Sequence, residues 1–467
     1  MRVYDYVYKF NALKSVSRKA TLTNKVQLFS SVVLVIGIAL SPAVCYSQDA
    51  VQSDKTRIDS AHMRLTLETL STFGRPAGGT FADGVSRVAY SDADVAGRAY
   101  VMNLMRDAGL HPRIDPAGNI TGQRAGTYPT LKPIVMGSHI DSVRSGGNFD
   151  GDVGSLSAIE VVRALNEQHI QTRHPLEVTI WSNEEGGPIG SSALLETPSA
   201  EALKREFYGI TMRDGIRKIG GDPDKLSEVR RRADSLCCYL ELHVEQGGSL
   251  EKSGVQIGVV DGIVAIDDFD GEVRGFANHA GTTPMQERRD ALFAASQLVL
   301  AVREIATASP GRQVGTVGRF EVFPDAPNVI PGRVSLSLEF RDLSEEKVAR
   351  MDAEMLARAQ QIAQRTDTEI AIKRVNHDPA ALANSAIQKD IEASAAALGL
   401  STSHLPSGAG HDAQNLAKLV PMGMIFIPSV GGISHSPREL SRWTDCANGA
   451  NVLLQTVLRI DRNIDPH

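Results

Sequence analysis

The chain has 467 residues, 42% of them apolar and 22% charged, so it can bury a core and is not of the disordered type. Its 49 Lys and Arg against 55 Asp and Glu leave a formal net charge of −6, which excludes a strongly basic nucleic-acid binder. Four cysteines exclude a disulfide scaffold, and Cys237 and Cys238 are adjacent and poorly placed to pair with each other.

In chain order, residues 1–27 carry Arg2, Lys9, Lys14, Arg18, Lys19 and Lys25 against the single acid Asp5. An apolar run over 28–40 follows, then Ser41, Pro42 and polar chain. About thirteen residues at ~1.5 Å rise fall short of a ~30 Å hydrocarbon layer. Basic, apolar and small-polar segments in that order predict a secretory signal over 1–47, cut after Cys45 or Ser47, with the mature chain exported to the periplasm or beyond. An uncleaved anchor is the other reading. No other run approaches about 18 apolar residues, so no membrane attachment is expected after cleavage.

The mature chain then alternates helix and strand patterns. Residues 95–108 have helical spacing, with Asp92 and Asp94 where an N-cap is expected and Gly109 at the stop. Runs 133–138 and 176–182 read as buried strands with a helix over 155–165 between them, a βαβ unit. The middle differs: 256–260, 268–274, 315–322 and 333–341 are strand-like, separated by helical stretches 291–305 and 345–363. After about Thr366 the first pattern returns, with a strand over 422–428 and a terminal helix near 447–458. The fold class is therefore α/β. A discontinuous catalytic domain (54–250 and 367–467) has a mostly parallel sheet with helices on both faces. An α+β domain, with one face of its antiparallel sheet open, is inserted over 251–366.

Five segments share one chemistry, and their polar residues fall at or just beyond strand ends, where open α/β sheets place their sites. In Gly137-Ser138-His139-Ile140-Asp141, His139 can bind a metal while Asp141 holds its other ring nitrogen. In Gly147-Asn148-Phe149-Asp150-Gly151, Asp150 can bridge two cations; a helix cap is the other reading. In Asn183-Glu184-Glu185-Gly186, adjacent carboxylates diverge, so Glu185 can bind metal while Glu184 serves as general base. Two like charges so close each raise the other's pKa, and cations compensate. His243 and His435 complete the set, with Gln246 as a polar contact beside His243. Three imidazoles and two carboxylates suit two divalent ions, Zn²⁺ or Mn²⁺, with Co²⁺ also possible.

These segments, together with GVSRVAYSDAD (84–94), DPAGNITG (115–122), HAGTTPM (279–285), PNVIPG (327–332), SGAGHDAQ (407–414) and GGISHSP (431–437), resemble the M20-type metal-dependent amidohydrolases. The chain is most similar to the group of N-carbamoyl-L-amino acid hydrolase, β-ureidopropionase and allantoate amidohydrolase. The resemblance implies that His139 and His243 hold one metal, Glu185 and His435 the other, and that Asp150 bridges. It makes Glu184 the base, Asp141 an orienting carboxylate and His279 the stabiliser of the oxyanion. Asn328 and Arg341 would grip a substrate carboxylate, while Gln246 and His411 line the pocket. In the family the lid residues reach the partner subunit's site, so a homodimer is implied. The expected reaction is hydrolysis of the ureido C–N bond of a small carboxylate-bearing substrate, an N-carbamoyl-L-amino acid. Allantoate-type ureides come next, then peptides, and a secreted binding protein without turnover is the non-enzyme reading.

Two departures stand out. Gly187-Pro188-Ile189 replaces the usual Arg-Phe pair after the glutamates, and Asp152 stands where relatives carry a small or apolar residue.

Overall fold

A computed structural model describes residues 55–463. The predicted signal over 1–47 lies outside the described residues. In chain order the strands of the two principal sheets are β1 (Arg113–Ile114), β2 (Ile120–Arg124), β3 (Ile134–His139), β4 (Leu176–Trp181), β5 (Cys238–Val244), β6 (Ile257–Ile263), β7 (Ala265–Arg274), β8 (Val314–Phe323), β9 (Arg333–Asp342), β10 (Glu369–Asp378), β11 (Ala381–Leu382), β12 (Thr402–Ser407) and β13 (Met422–Ile427). The longer helices are α1 (Ser60–Leu70), α2 (Asp92–Asp107), α3 (Asp152–Glu167), α4 (Ala291–Thr307), α5 (Glu345–Thr366), α6 (Ser385–Ala397) and α7 (Trp443–Asn463).

The larger sheet runs β1-β2-β4-β3-β5-β13-β6-β11, with β12 pairing β6. Its centre, β4-β3-β5-β13, is parallel, while β2 on one side and β6 on the other join it antiparallel. The central strands are buried along their whole length, as a sheet covered on both faces requires. Alternation divides them between two cores. Ile134 and Met136 face a core shared with α1, α2, α3, α6 and α7, whereas Val135 joins Trp181, Tyr239 and Phe426 beneath short helices on the other face. Helices thus lie on both faces, but all the long ones of this domain lie on one. Among the described residues no helix is long and apolar enough to cross a membrane.

Two expectations need correction. The helix at 95–108 starts earlier, at Asp92, and its cap is Ser91, whose side chain accepts from the Asp94 amide; Asp92 and Asp94 sit in the first turn, beside the positive end of the helix dipole. The inserted domain is also displaced. The strand at 257–263 belongs to the larger sheet, and β10 belongs to the smaller one, ordered β8-β9-β7-β10. The insertion therefore runs from Ala265 to Asp378 rather than over 251–366. Period-two patterning identifies a strand but not its sheet, because pairing partners are chosen by tertiary contact. The smaller sheet is antiparallel, with α4 and α5 on one face. Val334, Leu336, Leu338 and Phe340 of β9 point into that core and alternate with half-exposed residues.

Two buried charged clusters bear on the fold. Asp152 meets the Arg87 guanidinium, and both side chains are almost wholly buried. Arg87 also donates to the Leu70, Phe73 and Ile140 carbonyls, so every arm of the guanidinium is used. Burial pushes Asp152 up to about 6, with Arg87 opposing. The unusual acid thus has a cationic partner, and the pair fastens α3 to the chain before α2. Arg87→Met should cost about 3–5 kcal/mol at pH 8 in urea unfolding, since it strands a buried carboxylate; a loss below about 1 kcal/mol would mean the pair contributes little.

Where the chain enters and leaves the inserted domain, Asp267 on β7 faces Asp352 on α5, with Arg374 and His377 of β10 also on Asp267. Burial, then Asp267, pushes Asp352 up to about 7. Unfolded, it titrates near ~3.9. Between those limits the folded state binds more protons, so stability falls as pH rises. Asp352→Asn should therefore gain Tm over the wild type progressively from pH 4 to 7 and level off above; a pH-independent difference would rule out a retained proton.

Candidate metal centre

The site lies at the carboxyl ends of the parallel strands. His139 ends β3, Glu184 and Glu185 follow β4, His243 is the sixth residue of β5, and His435 sits in the loop after β13. Asp150 immediately precedes Gly151, the N-cap of α3. Gly151 has φ +66°, and any side chain there would run into the His139 ring.

Asp150 is shared by two groups of ligand atoms. Its Oδ1 lies 3.5 Å from His139 Nε2 and 3.1 Å from His243 Nε2. Its Oδ2 lies 3.4 Å from His435 Nε2, which is in turn 3.5 Å from Glu185 Oε2. His139, Asp150 and His243 thus form one set with metal-ligand spacing, and Asp150, Glu185 and His435 a second. Glu184 belongs to neither set; its Oε2 is 3.8 Å from His139 Nε2. Among the described residues no lysine or arginine pairs with Asp150, Glu184 or Glu185, whose ionic contacts are all to imidazoles. A donor set of three imidazoles and two carboxylates, converging without a protein cation, fits divalent ions of the Zn²⁺ or Mn²⁺ type.

The imidazoles are oriented for ligation. His139 Nδ1 contacts the Asp141 carbonyl at 3.0 Å and His243 Nδ1 the Val244 carbonyl at 2.9 Å. Each carbonyl accepts a hydrogen bond from Nδ1–H, which leaves Nε2 as the ring atom turned toward Asp150. This corrects one expectation: the Asp141 carboxylate, 3.9 Å from the ring, does not hold His139. It accepts instead from the Glu184 and Glu185 amides at 3.2 and 3.1 Å and fixes the turn that carries both glutamates. An i, i+2 pair on extended chain would have put carboxylate and ring side by side, but β3 ends at His139 and the chain turns there.

Burial shapes the electrostatics. Burial alone would raise the Asp150 carboxyl, but His243, His139 and His435 outweigh it and hold it well below the usual range. Burial pushes Glu184 well above its ordinary value, with Asp412, Glu185 and Asp141 adding to it against His139. Glu185 is pushed up to about 7 by burial and then by Asp150. His435, half exposed, is raised to about 9, first by its contact with Asp150.

The expected substrate residues divide. Gln246 Nε2 donates to Asp150 Oδ2 at 2.7 Å, so this side chain steadies the shared carboxylate. His411 is buried with its ring 4.5 Å from that of His243, and its Nε2 meets Ser407 Oγ at 2.8 Å. Burial and then His243 hold it well below the usual imidazole value. Arg341 lines a cleft of about 610 Å³ with Gln246, Glu245, Arg312 and Gly408. Its guanidinium donates to the Gly408 carbonyl and to Glu339, both at 2.8 Å. His279 and Asn328 stand exposed on adjoining segments, joined by the Ala280 amide on the Asn328 carbonyl at 2.9 Å. His279 Nδ1 accepts from the Gly281 and Thr282 amides, which leaves its Nε2–H outward. Within one chain neither residue joins the metal-ligand sets or lines that cleft.

Sequence reasoning missed Glu439. This buried carboxylate accepts from the Phe149 and Asp150 amides at 2.9 and 3.0 Å and from Ser434 Oγ at 2.7 Å. Its one signal was an acid four residues after a candidate ligand. It missed Arg87 too, which reads as an ordinary surface cation until the fold buries it beside Asp152.

Comparison with known proteins identifies the family. The family model described as peptidase family M20/M25/M40 matches residues 135–459. The N-carbamoyl-L-amino acid amidohydrolase of Geobacillus stearothermophilus is 39% identical over 383 residues, covering 81% of this chain and 93% of that protein. The ureidoglycolate hydrolase of Arabidopsis thaliana is 37% identical over 417 residues, covering 86% and 87%. The crystal structure of a hydantoinase/carbamoylase-family amidase from Burkholderia multivorans superposes with a TM-score of 0.79 at 35% identity, covering 87% of this chain and 98% of that one. The chain belongs to peptidase family M20/M25/M40 and is a hydrolase of amide-type C–N bonds.

Proposed function

We propose that this enzyme hydrolyses the ureido C–N bond of N-carbamoyl-L-amino acids at a centre of two divalent ions, as an exported homodimer. The observation that carries the two-ion reading is the division of Asp150, one oxygen facing His139 and His243 and the other facing His435. The substrate class rests on the carbamoyl-hydrolysing relatives. The reaction consumes one water: R–NH–CO–NH₂ + H₂O gives R–NH₂, CO₂ and NH₃. Ions held by His139, His243 and Asp150, and by Asp150, Glu185 and His435, would be Zn²⁺ or Mn²⁺, with Co²⁺ an alternative. When bound, such ions acidify an attacking water and polarise a carbonyl.

The chain's own groups do the rest. Glu184, outside both ligand sets, takes the water proton and delivers it to the leaving nitrogen. Asp141 holds its backbone in place. Arg341 offers a planar fork to the substrate carboxylate across the cleft it shares with Gln246. His279 and Asn328, outward on the inserted domain, are available to a partner's site. A second copy would cover the exposed apolar Phe293 and Leu300 of α4 and the unpaired edge of β8. Residues 1–47 would direct export and then be removed. Hydrolysis of a ureide such as ureidoglycolate is the second reading, favoured by the Arabidopsis relative.

The test is to assay the metal-loaded protein on N-carbamoyl-L-amino acids, allantoate, ureidoglycolate and dipeptides, with elemental analysis and sedimentation alongside. The expected result is carbamoyl turnover by a dimer with about two ions per chain. Turnover of dipeptides alone would sink the substrate assignment. Glu184→Gln should lower kcat by about 10²–10⁴ while the ions stay bound. Arg341→Ala should raise KM for carboxylate substrates by about 10–100-fold, the loss of a charge-assisted contact; an unchanged KM would remove it from the site.

A further inference from the structure

The two halves of the centre are built differently. His139 and His243 lie on buried strands, and their rings are held by backbone carbonyls. His435 lies on a loop, with its side chain 51% exposed and φ +53°. Something other than sheet pairing must hold that loop against Asp150.

The groups within reach are Glu439 and Ser434, on either side of His435. Glu439 is 4% exposed. Its Oε1 receives two amides from a segment 290 residues away, Phe149 at 2.9 Å and Asp150 at 3.0 Å. Ser434 Oγ lies 2.7 Å from Glu439 Oε2 and 3.0 Å from Asp150 Oδ2, so one hydroxyl proton is shared between the two carboxylates. Gly147 makes the approach possible, since any side chain there would run into the Glu439 carboxylate. The arrangement grips Asp150 at its amide and, through Ser434, at the carboxylate oxygen that faces His435.

We propose that Glu439 is a positioning residue for the outer half of the metal centre. It ties the loop carrying His435 to the backbone of Asp150 and so sets the spacing of the Asp150, Glu185 and His435 ligand atoms. This rests on the two-ion reading above. The inner half shares Asp150 but takes its two imidazoles from β3 and β5, so it depends on Glu439 less.

The tether is testable without metal. In the metal-free chain, Glu439→Ala should speed amide hydrogen exchange at Phe149 and Asp150 at least tenfold while leaving β3 and β5 unchanged. With Mn²⁺ as the probe in equilibrium dialysis, His435→Ala identifies the outer ion. Glu439→Ala should weaken that ion about 10–100-fold and the inner ion, which keeps both strand-borne imidazoles, by less than about threefold. Glu439→Gln should stay within about threefold of the wild type, because its oxygen still accepts from both amides and its NH₂ reaches Ser434. Unchanged exchange in Glu439→Ala would overturn the tether by itself. Equal weakening of both ions, or a Gln variant as damaged as Ala, would reduce Glu439 to a general structural role and overturn the proposal. A wild-type chain that takes up none of Mn²⁺, Zn²⁺ and Co²⁺ would overturn the two-ion reading and this role with it.

Discussion

A single carboxylate organises this molecule. Asp150 lies between three imidazoles, and its two oxygens are divided between two sets of ligand atoms. The groups that meet there come from β3, β4, β5 and the loop after β13, which together span most of the described chain. Parallel pairing brings those strand ends to one rim, and the rim is where polar side chains can converge without disturbing the buried cores. Everything that steadies Asp150 serves that convergence: the amide of Gln246, the hydroxyl of Ser434, and the glycine that lets the His139 ring lie close behind it.

The surrounding charge is costly for a protein without a cation. Glu184, Glu185, Asp141, Asp412 and Glu241 crowd the same buried region, and burial raises Glu184, Asp412 and Glu241 above their usual range. Such a concentration of acids is unfavourable in a low-dielectric interior unless positive charge balances it. Away from the rim, the protein supplies its own balance: Arg87 lies on Asp152 and Arg231 on Glu177. At the rim it supplies only imidazoles.

The inserted domain joins this centre through Arg341, whose guanidinium reaches the Gly408 carbonyl and the cleft beside Gln246. Its remaining residues of interest, His279 and Asn328, face outward. The closely spaced entry and exit strands β7 and β10, with Asp267, Asp352 and His377 between them, make its attachment a narrow one.

Much of this was legible in one dimension. The buried runs at 134–139 and 176–181, the antiparallel pattern of the insertion, and the five candidate ligand residues follow from local periodicity and from polar residues beyond strand ends. Short-range signals also misled: the cap of α2 is Ser91 and not an aspartate, and Asp141 grips the glutamate turn and not the imidazole. The amphipathic helices α1 and α6 and the strands β10 and β12 were missed because their patterns are short or half-exposed. Residue type and spacing narrowed the chemistry only when the five segments were taken together, because each by itself reads equally as a cap or a turn. Only the tertiary structure decided which sheet each strand joins, that Asp152 has Arg87 as its partner, and that Glu439 reaches Asp150 across most of the chain. Those contacts are set by packing between segments remote in sequence, and no local pattern encodes the distance between them.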